Sequence, residues 1–347
     1  MIEKYYSGVI EQIYNRIGKE TRNIVMANYS NDFSIENLEV IRRYQSNEDN
    51  VFFAYSEFSY NTLVGAYEPF LDIICNMHRR FIGGSFDDFQ KECGVYYLHR
   101  QVLNSYYETG ECFREETVLL NEVAYEQRRM TMVIADMLKK LSEVKPLMIV
   151  INRFQMASKS SIETIKYLID NPCANIGIVL GVNAIVKGTD STVEVWDRIV
   201  ESLEDRSAIY YIGSAGPLKN NVKTTNDDEL YITMNFEQSI QEASNIMEFL
   251  DFEQARRGCR IIEHKLKFED AWIDEKSLRR FYMVYARTSV LLGEMSKAIE
   301  LTNEYKALIP ENDSEHYLSL YYFMKGTCYM YQGKLEKAGN SAKSAYD

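Results

Sequence analysis

Leu147-Met148-Ile149-Val150-Ile151, set between Lys145-Pro146 and Asn152-Arg153-Phe154-Gln155-Met156-Ala157, decides how the first two thirds of the chain must be read. The run is apolar throughout and does not alternate with polar residues. A strand half exposed to water alternates; one buried on both faces, as in a parallel sheet, does not. Four more runs have the same character: Ile24 to Ala27, Val51 to Tyr55, Ile176 to Val182 and Ile209 to Ile212. Helical patterns lie between them. Met130, Val133, Ile134, Met137, Leu138 and Leu141 recur at spacings of three and four and lead into the Leu147 strand. After it, Ser160 and Glu163 have the spacing of a capping box. Ile162, Ile165, Leu168 and Ile169 supply a buried face, and Asn171-Pro172 ends the helix. Val193, Trp196, Ile199, Val200 and Leu203 mark another amphipathic helix before the last strand. Strand and helix in alternation predict an α/β domain built on a parallel sheet. Residues 77–117 show no clean period; Gly83-Gly84 punctuates them.

From about Asn235 onward the strand signal ends and the pattern is helical. Ala255, Ala298 and Ala338 each begin the second helix of a pair, forty-three and forty residues apart. Gly293 and Gly333 precede the last two alanines by five residues, where a tight turn needs a residue tolerant of positive φ. Pro310 falls where the second helix of its pair should stop. Ala286 and Gly326 provide small residues twelve positions before Ala298 and Ala338. This L-L-G-x-x-x-x-A pattern with a terminal proline resembles the tetratricopeptide repeat, at a period longer than its usual ~34 residues. The predicted organisation is therefore an α/β domain over 1–235 and tetratricopeptide-like helical repeats over 236–347. The chain stops at Ala345-Tyr346-Asp347 without a visible polar cap, so the expectation is a fragment of a longer protein.

Composition narrows the function classes. The 347 residues carry a formal charge of −12, with 39 Lys and Arg against 51 Asp and Glu. Basic pairs such as Arg42-Arg43 and Arg128-Arg129 are isolated, so the clustered cations that nucleic-acid binding requires are missing. No apolar run approaches a membrane span, and the N-terminus lacks the layout of a secretory signal, which places the chain in the cytoplasm. Six cysteines and four histidines form neither C-x-x-C nor H-E-x-x-H. No metal site and no disulfide framework are expected, and the cysteines read as buried reduced thiols. The 26 tyrosines suit helix seams and binding surfaces alike.

A parallel sheet followed by helical repeats resembles the STAND group of signalling nucleotidases, relatives of AAA+ proteins known from bacterial regulators. Two segments carry the likeness. Tyr67-Glu68-Pro69-Phe70-Leu71 looks like the Y-x-P-F-L stretch after the second strand, and Lys145 to Ala157 looks like the Walker B strand with its sequel. The resemblance implies a five-stranded sheet in the order 5-1-4-3-2. It also implies a phosphate loop after the first strand, where nucleotide binding needs G-x-x-x-x-G-K-[ST]. This chain has Asn28-Tyr29-Ser30-Asn31-Asp32-Phe33-Ser34-Ile35-Glu36 there, with no glycine and no lysine. Degenerate loop positions are Asn28, Ser30, Asp32 and Ser34; the acids Asp32 and Glu36 would repel a triphosphate. At the Walker B acid stands Asn152, followed by Arg153, and an amide cannot supply the charge that Mg²⁺ demands. Asn183, at the end of the fourth strand, takes the place of a γ-phosphate sensor. Glu57, Ser30 and Ser214 also fall at carboxyl ends of strands, where ligands of open sheets bind.

The expectation is a regulatory or scaffold protein that is not an enzyme, uses no cofactor, and holds a protein partner on its repeats. Tyr282, Tyr285, Tyr321 and Tyr322 are candidates for the partner surface and equally for packing. Two alternatives remain at this point: an ATP-binding switch with a divergent loop, or a transcription regulator whose output domain lies beyond residue 347.

Overall fold

A computed structural model describes residues 2–29, 38–46, 50–59, 63–114, 118, 120–183, 193–213, 235–268, 273–310 and 314–346. The chain divides into two compact units. One comprises Met1–Gly110 with Arg128–Tyr231; the other comprises Glu111–Gln127 with Ile232–Asp347. The sequence reading puts a single boundary at 235. In the structure, residues 111–127 group with the helices that follow.

The first unit is a five-stranded sheet. Its strands are β1 (Ile24–Tyr29), β2 (Phe52–Glu57), β3 (Leu147–Asn152), β4 (Ile176–Asn183) and β5 (Ile209–Ile212). They lie in the order β2-β3-β4-β1-β5, and every pair is parallel. Read from the other edge, this is the 5-1-4-3-2 order. Every residue of β3 and β4 is buried, which is why neither run alternates. The edge strand β2 is half-buried from Ala54 onward.

Helix α1 (Ile2–Arg16) lays Tyr6, Val9, Ile10 and Ile13 on the sheet face formed by Val25, Ala27, Tyr29, Val150 and Val179. Two glycines of β4 make the approach close. A Cβ on Gly177 would lie 2.9 Å from Ile13 and Ile17 carbons. One on Gly181 would lie 2.5 Å from the Tyr6 hydroxyl. Glycine in the strand interior costs local stability, and here it admits a helix. Helix α2 (Glu39–Ser46) adds Val40 and Ile41 to the same core.

Residues 70–109 form four short pieces: α3 (Phe70–Met77), a π-helical turn (His78–Ile82), α4 (Phe86–Glu92) and α5 (Tyr97–Thr109). Gly83, Gly84 and Gly94 have positive φ and interrupt the pattern. The pieces close around His78, whose ring meets Phe86, Phe89 and Tyr107 edge-on or tilted. Helix α6 (Val123–Val144) buries Met130, Ile134, Met137, Leu138 and Leu141 as its stripe predicts.

Helix α7 (Lys159–Asp170) starts two residues earlier than its capping-box pattern suggests. The N-cap is Ser158, which accepts from the Ser161 amide at 3.4 Å. Ser160 instead accepts the Tyr67 N–H at 3.0 Å, and Ser161 donates to the Glu68 carbonyl at 2.8 Å. The tertiary anchor of the Tyr67-Glu68-Pro69 segment thus claims the hydroxyl that the local pattern assigns to a cap. Helix α8 (Val193–Glu204) buries Trp196, Ile199 and Leu203.

The second unit contains three helical hairpins: α9 (Phe236–Glu248) with α10 (Phe252–Phe268), α11 (Glu275–Leu291) with α12 (Met295–Ala307), and α13 (Ser314–Tyr331) with α14 (Leu335–Tyr346). Gly293 and Gly333 turn the last two at positive φ; in the first, Leu250 takes that role at φ 68. Ala255, Ala286 and Ala298 are fully buried at the helix contacts. Gly326 is the corresponding close approach in the last hairpin, where an added Cβ would sit 3.3 Å from that of Ser341. Ala338 is only half-buried.

Candidate functional site

In an open parallel sheet the carboxyl ends of the strands are the place where a ligand meets the chain. Here their polar groups bond to one another. Asn152, the last residue of β3, is fully buried, and its side-chain oxygen accepts a 2.7 Å hydrogen bond from Tyr29, the last residue of β1. Tyr29 is itself fully buried. Gly181 on the intervening strand lets the Tyr6 hydroxyl and the Asn152 amide share the space a side chain would fill. Burial, then the neighbouring Tyr29 and Glu57, push the Tyr6 hydroxyl well above its ordinary pKa and keep its proton on.

Arg153 follows in the left-handed region at φ 54, a conformation uncommon for a side-chain-bearing residue. It reaches back over β2 to pair with Glu57 at 3.0 Å and to donate to the Phe58 carbonyl at 3.3 Å. Tyr55 donates to the other Glu57 oxygen. Asn183, ending β4, gives its backbone N–H to the buried Gln155 side chain at 3.3 Å. Asn28 is fully buried and lies in register with Val182 and Tyr211.

The structure therefore brings Asn152 together with Tyr29 and Tyr6, Arg153 with Glu57, and Asn183 with Gln155. Ser30, Asp32, Ser34, Glu36 and Ser214 lie outside the described residues. Sequence reasoning passed over Tyr6, Tyr29 and Gln155. The available signal was a tyrosine at the end of an apolar strand, which must find an acceptor for its hydroxyl when buried.

Beside β2 a cavity of about 310 Å³ opens, lined among others by Tyr55, Glu68, Asp72 and Asn76. Its lining holds two carboxyl groups and, among the described residues, no Lys or Arg. Burial raises the Glu68 pKa. Such a lining does not suit a phosphate. No set of three or more His, Cys, Asp or Glu among the described residues is arranged to hold a metal ion. None of the described helices is long and apolar enough to cross a membrane. The six cysteines are free thiols, and burial pushes Cys75 up to about 12 and Cys93 and Cys328 to about 11. That is the opposite of what a nucleophile needs.

The hairpin unit offers a second surface. Tyr285 and Tyr321 are buried, and Tyr282 and Tyr322 half-buried. Lys297 of α12 lies over the Tyr285 ring at 5.6 Å, and Lys306 of α12 over the Tyr321 ring at 5.1 Å, so these two serve the seams between helices. The less expected feature is the segment 111–127, which bonds to residues of α9, α13 and the first hairpin turn. The Cys112 N–H donates to the Asn245 side chain at 2.9 Å, and Arg114 donates to the Glu248 carbonyl at 2.8 Å. The Leu120 N–H meets the Tyr331 hydroxyl at 3.0 Å, and Gln127 donates to the Leu250 carbonyl. Arg114 and Glu248 also face each other as a buried ion pair at 3.8 Å, while Arg287 holds the other Glu248 oxygen at 2.9 Å. Burial lowers the Arg114 pKa, and the charges of Glu248 and Glu126 oppose that shift.

No protein-family model matches the chain, and no curated protein matches it in sequence.

Proposed function

We propose that this chain is a non-catalytic regulatory or scaffold protein that binds a protein partner through its helical hairpins. Its α/β unit is a structural or protein-binding relative of the STAND and AAA+ nucleotidases that no longer handles nucleotide. The observation that carries the reading is the 2.7 Å bond from Tyr29 to Asn152 in a fully buried setting. A nucleotidase needs an acid at the end of β3 and an open nest of amides after β1. This chain has a neutral amide there, covered by the last side chain of β1. The Arg153–Glu57 pair supports the same view, because the cation that follows Asn152 is already matched by a carboxylate. Helical hairpins with small residues at their contacts support the partner-holding half of the proposal, as does the tetratricopeptide-like pattern.

The test is equilibrium dialysis of labelled ATP with Mg²⁺ against the purified chain. The expected result is no binding up to millimolar nucleotide, with no rise in Tm. Micromolar affinity would overturn the proposal in favour of a divergent ATP-binding switch.

A further inference from the structure

Residues 111–114 lie across the hairpin unit in the manner of a bound peptide. Cys112 is buried, Phe113 is 63% exposed and Arg114 is buried again, the inward-outward alternation of an extended chain. The groups that grip the segment come from the first helices of the hairpins. Asn245 and Glu248 belong to α9, Arg287 to α11 and Tyr331 to α13. The Asn245 side chain holds the Cys112 backbone N–H and would accept many sequences, while Tyr331 takes the Leu120 N–H farther along the chain. Arg114 supplies the selective contact. Glu248 divides its oxygens between Arg287, at 2.9 Å, and Arg114, at 3.8 Å. Among the described residues the Arg114 Nη1 has no hydrogen-bond partner although it is buried. The cation is held, but by an acid already committed to a closer one.

We infer that the first-helix face of the hairpins is a site for an extended peptide with an arginine two residues after a small apolar side chain, and that the chain's own Glu111–Arg114 segment occupies it in cis until a partner peptide of that kind displaces it. This rests on the reading of the hairpins as the partner-binding unit and adds the ligand chemistry and its control. Glu248 reads the incoming arginine, Asn245 grips its backbone, and the cis segment lowers the apparent affinity by the fraction of time it is seated.

Two measurements on the full chain decide the matter. In hydrogen exchange on the wild type, the amides of residues 111–114 and 120 should exchange at least ~100-fold faster than those of α9 and α11, as a displaceable segment opens without global unfolding. Exchange of both at the same rate would make the segment a fixed part of the core and overturn the inference. In the second, a labelled peptide of sequence 110–121 is titrated into wild type and Arg114→Ala. The variant should bind at least ~10-fold more tightly, and the peptide lacking its arginine should bind neither. Equal binding to both chains, or binding that ignores the arginine, would refute it. If Arg114→Ala does not fold, the exchange experiment on the wild type still decides. Neither readout involves nucleotide, so a failure here is distinct from ATP binding at the sheet.

Discussion

Replacing Asn152 with aspartate introduces the acid that a nucleotidase would carry at the end of β3, with almost no change of shape. The position is fully buried, and its side-chain oxygen already accepts from Tyr29 at 2.7 Å. Burial alone raises a carboxyl pKa by up to ~3–5 units. The bond donated by Tyr29 favours the ionised form and holds the rise to roughly 2–3 units. Each unit is ~1.36 kcal/mol, so Asn152→Asp should cost about 3–4 kcal/mol at pH 8. The folded variant binds its proton more tightly than the unfolded chain does. The loss is therefore complete above the folded pKa and disappears as pH falls to about 4, the unfolded value. Urea unfolding at pH 4.5 and pH 8 measures the difference. Adding about 10 mM Mg²⁺ should not recover the deficit at pH 8, because Tyr29 stands where the ion would need room. A deficit equal at both pH values would refute the burial argument. Recovery by Mg²⁺ would show a metal-competent edge and refute the functional one.

Gly181→Ala places a methyl group 2.5 Å from the Tyr6 hydroxyl and 2.9 Å from the Asn152 oxygen. Overpacking of this kind should lower stability by ~1–3 kcal/mol in chemical unfolding, and a variant as stable as wild type would show that α1 lies farther from β4. Ala298→Trp fills a fully buried contact between α11 and α12 and should cost more than Ala338→Trp, where the alanine is half-buried. A thermal melt of both variants checks the order; two unchanged Tm values would remove the hairpin assignment.

The α/β part of the fold was legible because its strands carry the plainest signal a sequence offers. Leu147 to Ile151 and Ile176 to Val182 are buried on both faces and contain nothing polar. Strand order came from resemblance, since no local pattern encodes which strand lies beside which. The last two hairpins were legible from Gly293 and Gly333, while the first hides its turn because Leu250 adopts the positive φ that glycine normally marks. The site was less visible. Tyr29 and Asn152 are 123 residues apart, and neither is unusual among its neighbours in sequence. Ser158 and Ser160 could each cap α7, and only the distant Tyr67 amide separates their roles. The segment at Cys112 to Arg114 has no period because its partners lie more than 130 residues away, at Asn245 and Glu248.

The polar residues at the carboxyl ends of the strands make sense as a set rather than one at a time. A phosphate site concentrates positive charge and donors to hold a polyanion, and its metal acid is balanced by the ion it binds. Remove the metal from such a design and a buried aspartate becomes an uncompensated charge, costly enough to neutralise itself or unfold its surroundings. A neutral asparagine avoids that cost, provided its oxygen finds a donor, and Tyr29 supplies one from the end of β1, across β4. The arginine that follows would be an excess cation without a phosphate; Glu57, the last residue of β2, answers it at 3.0 Å. Tyr6 completes the packing with a hydroxyl whose proton is held by burial. Each of these residues answers another, so introducing an acid or a cation alone would unbalance the set. That mutual fit is the physical ground for the proposal that the α/β unit is structural and that a partner is held on the hairpins.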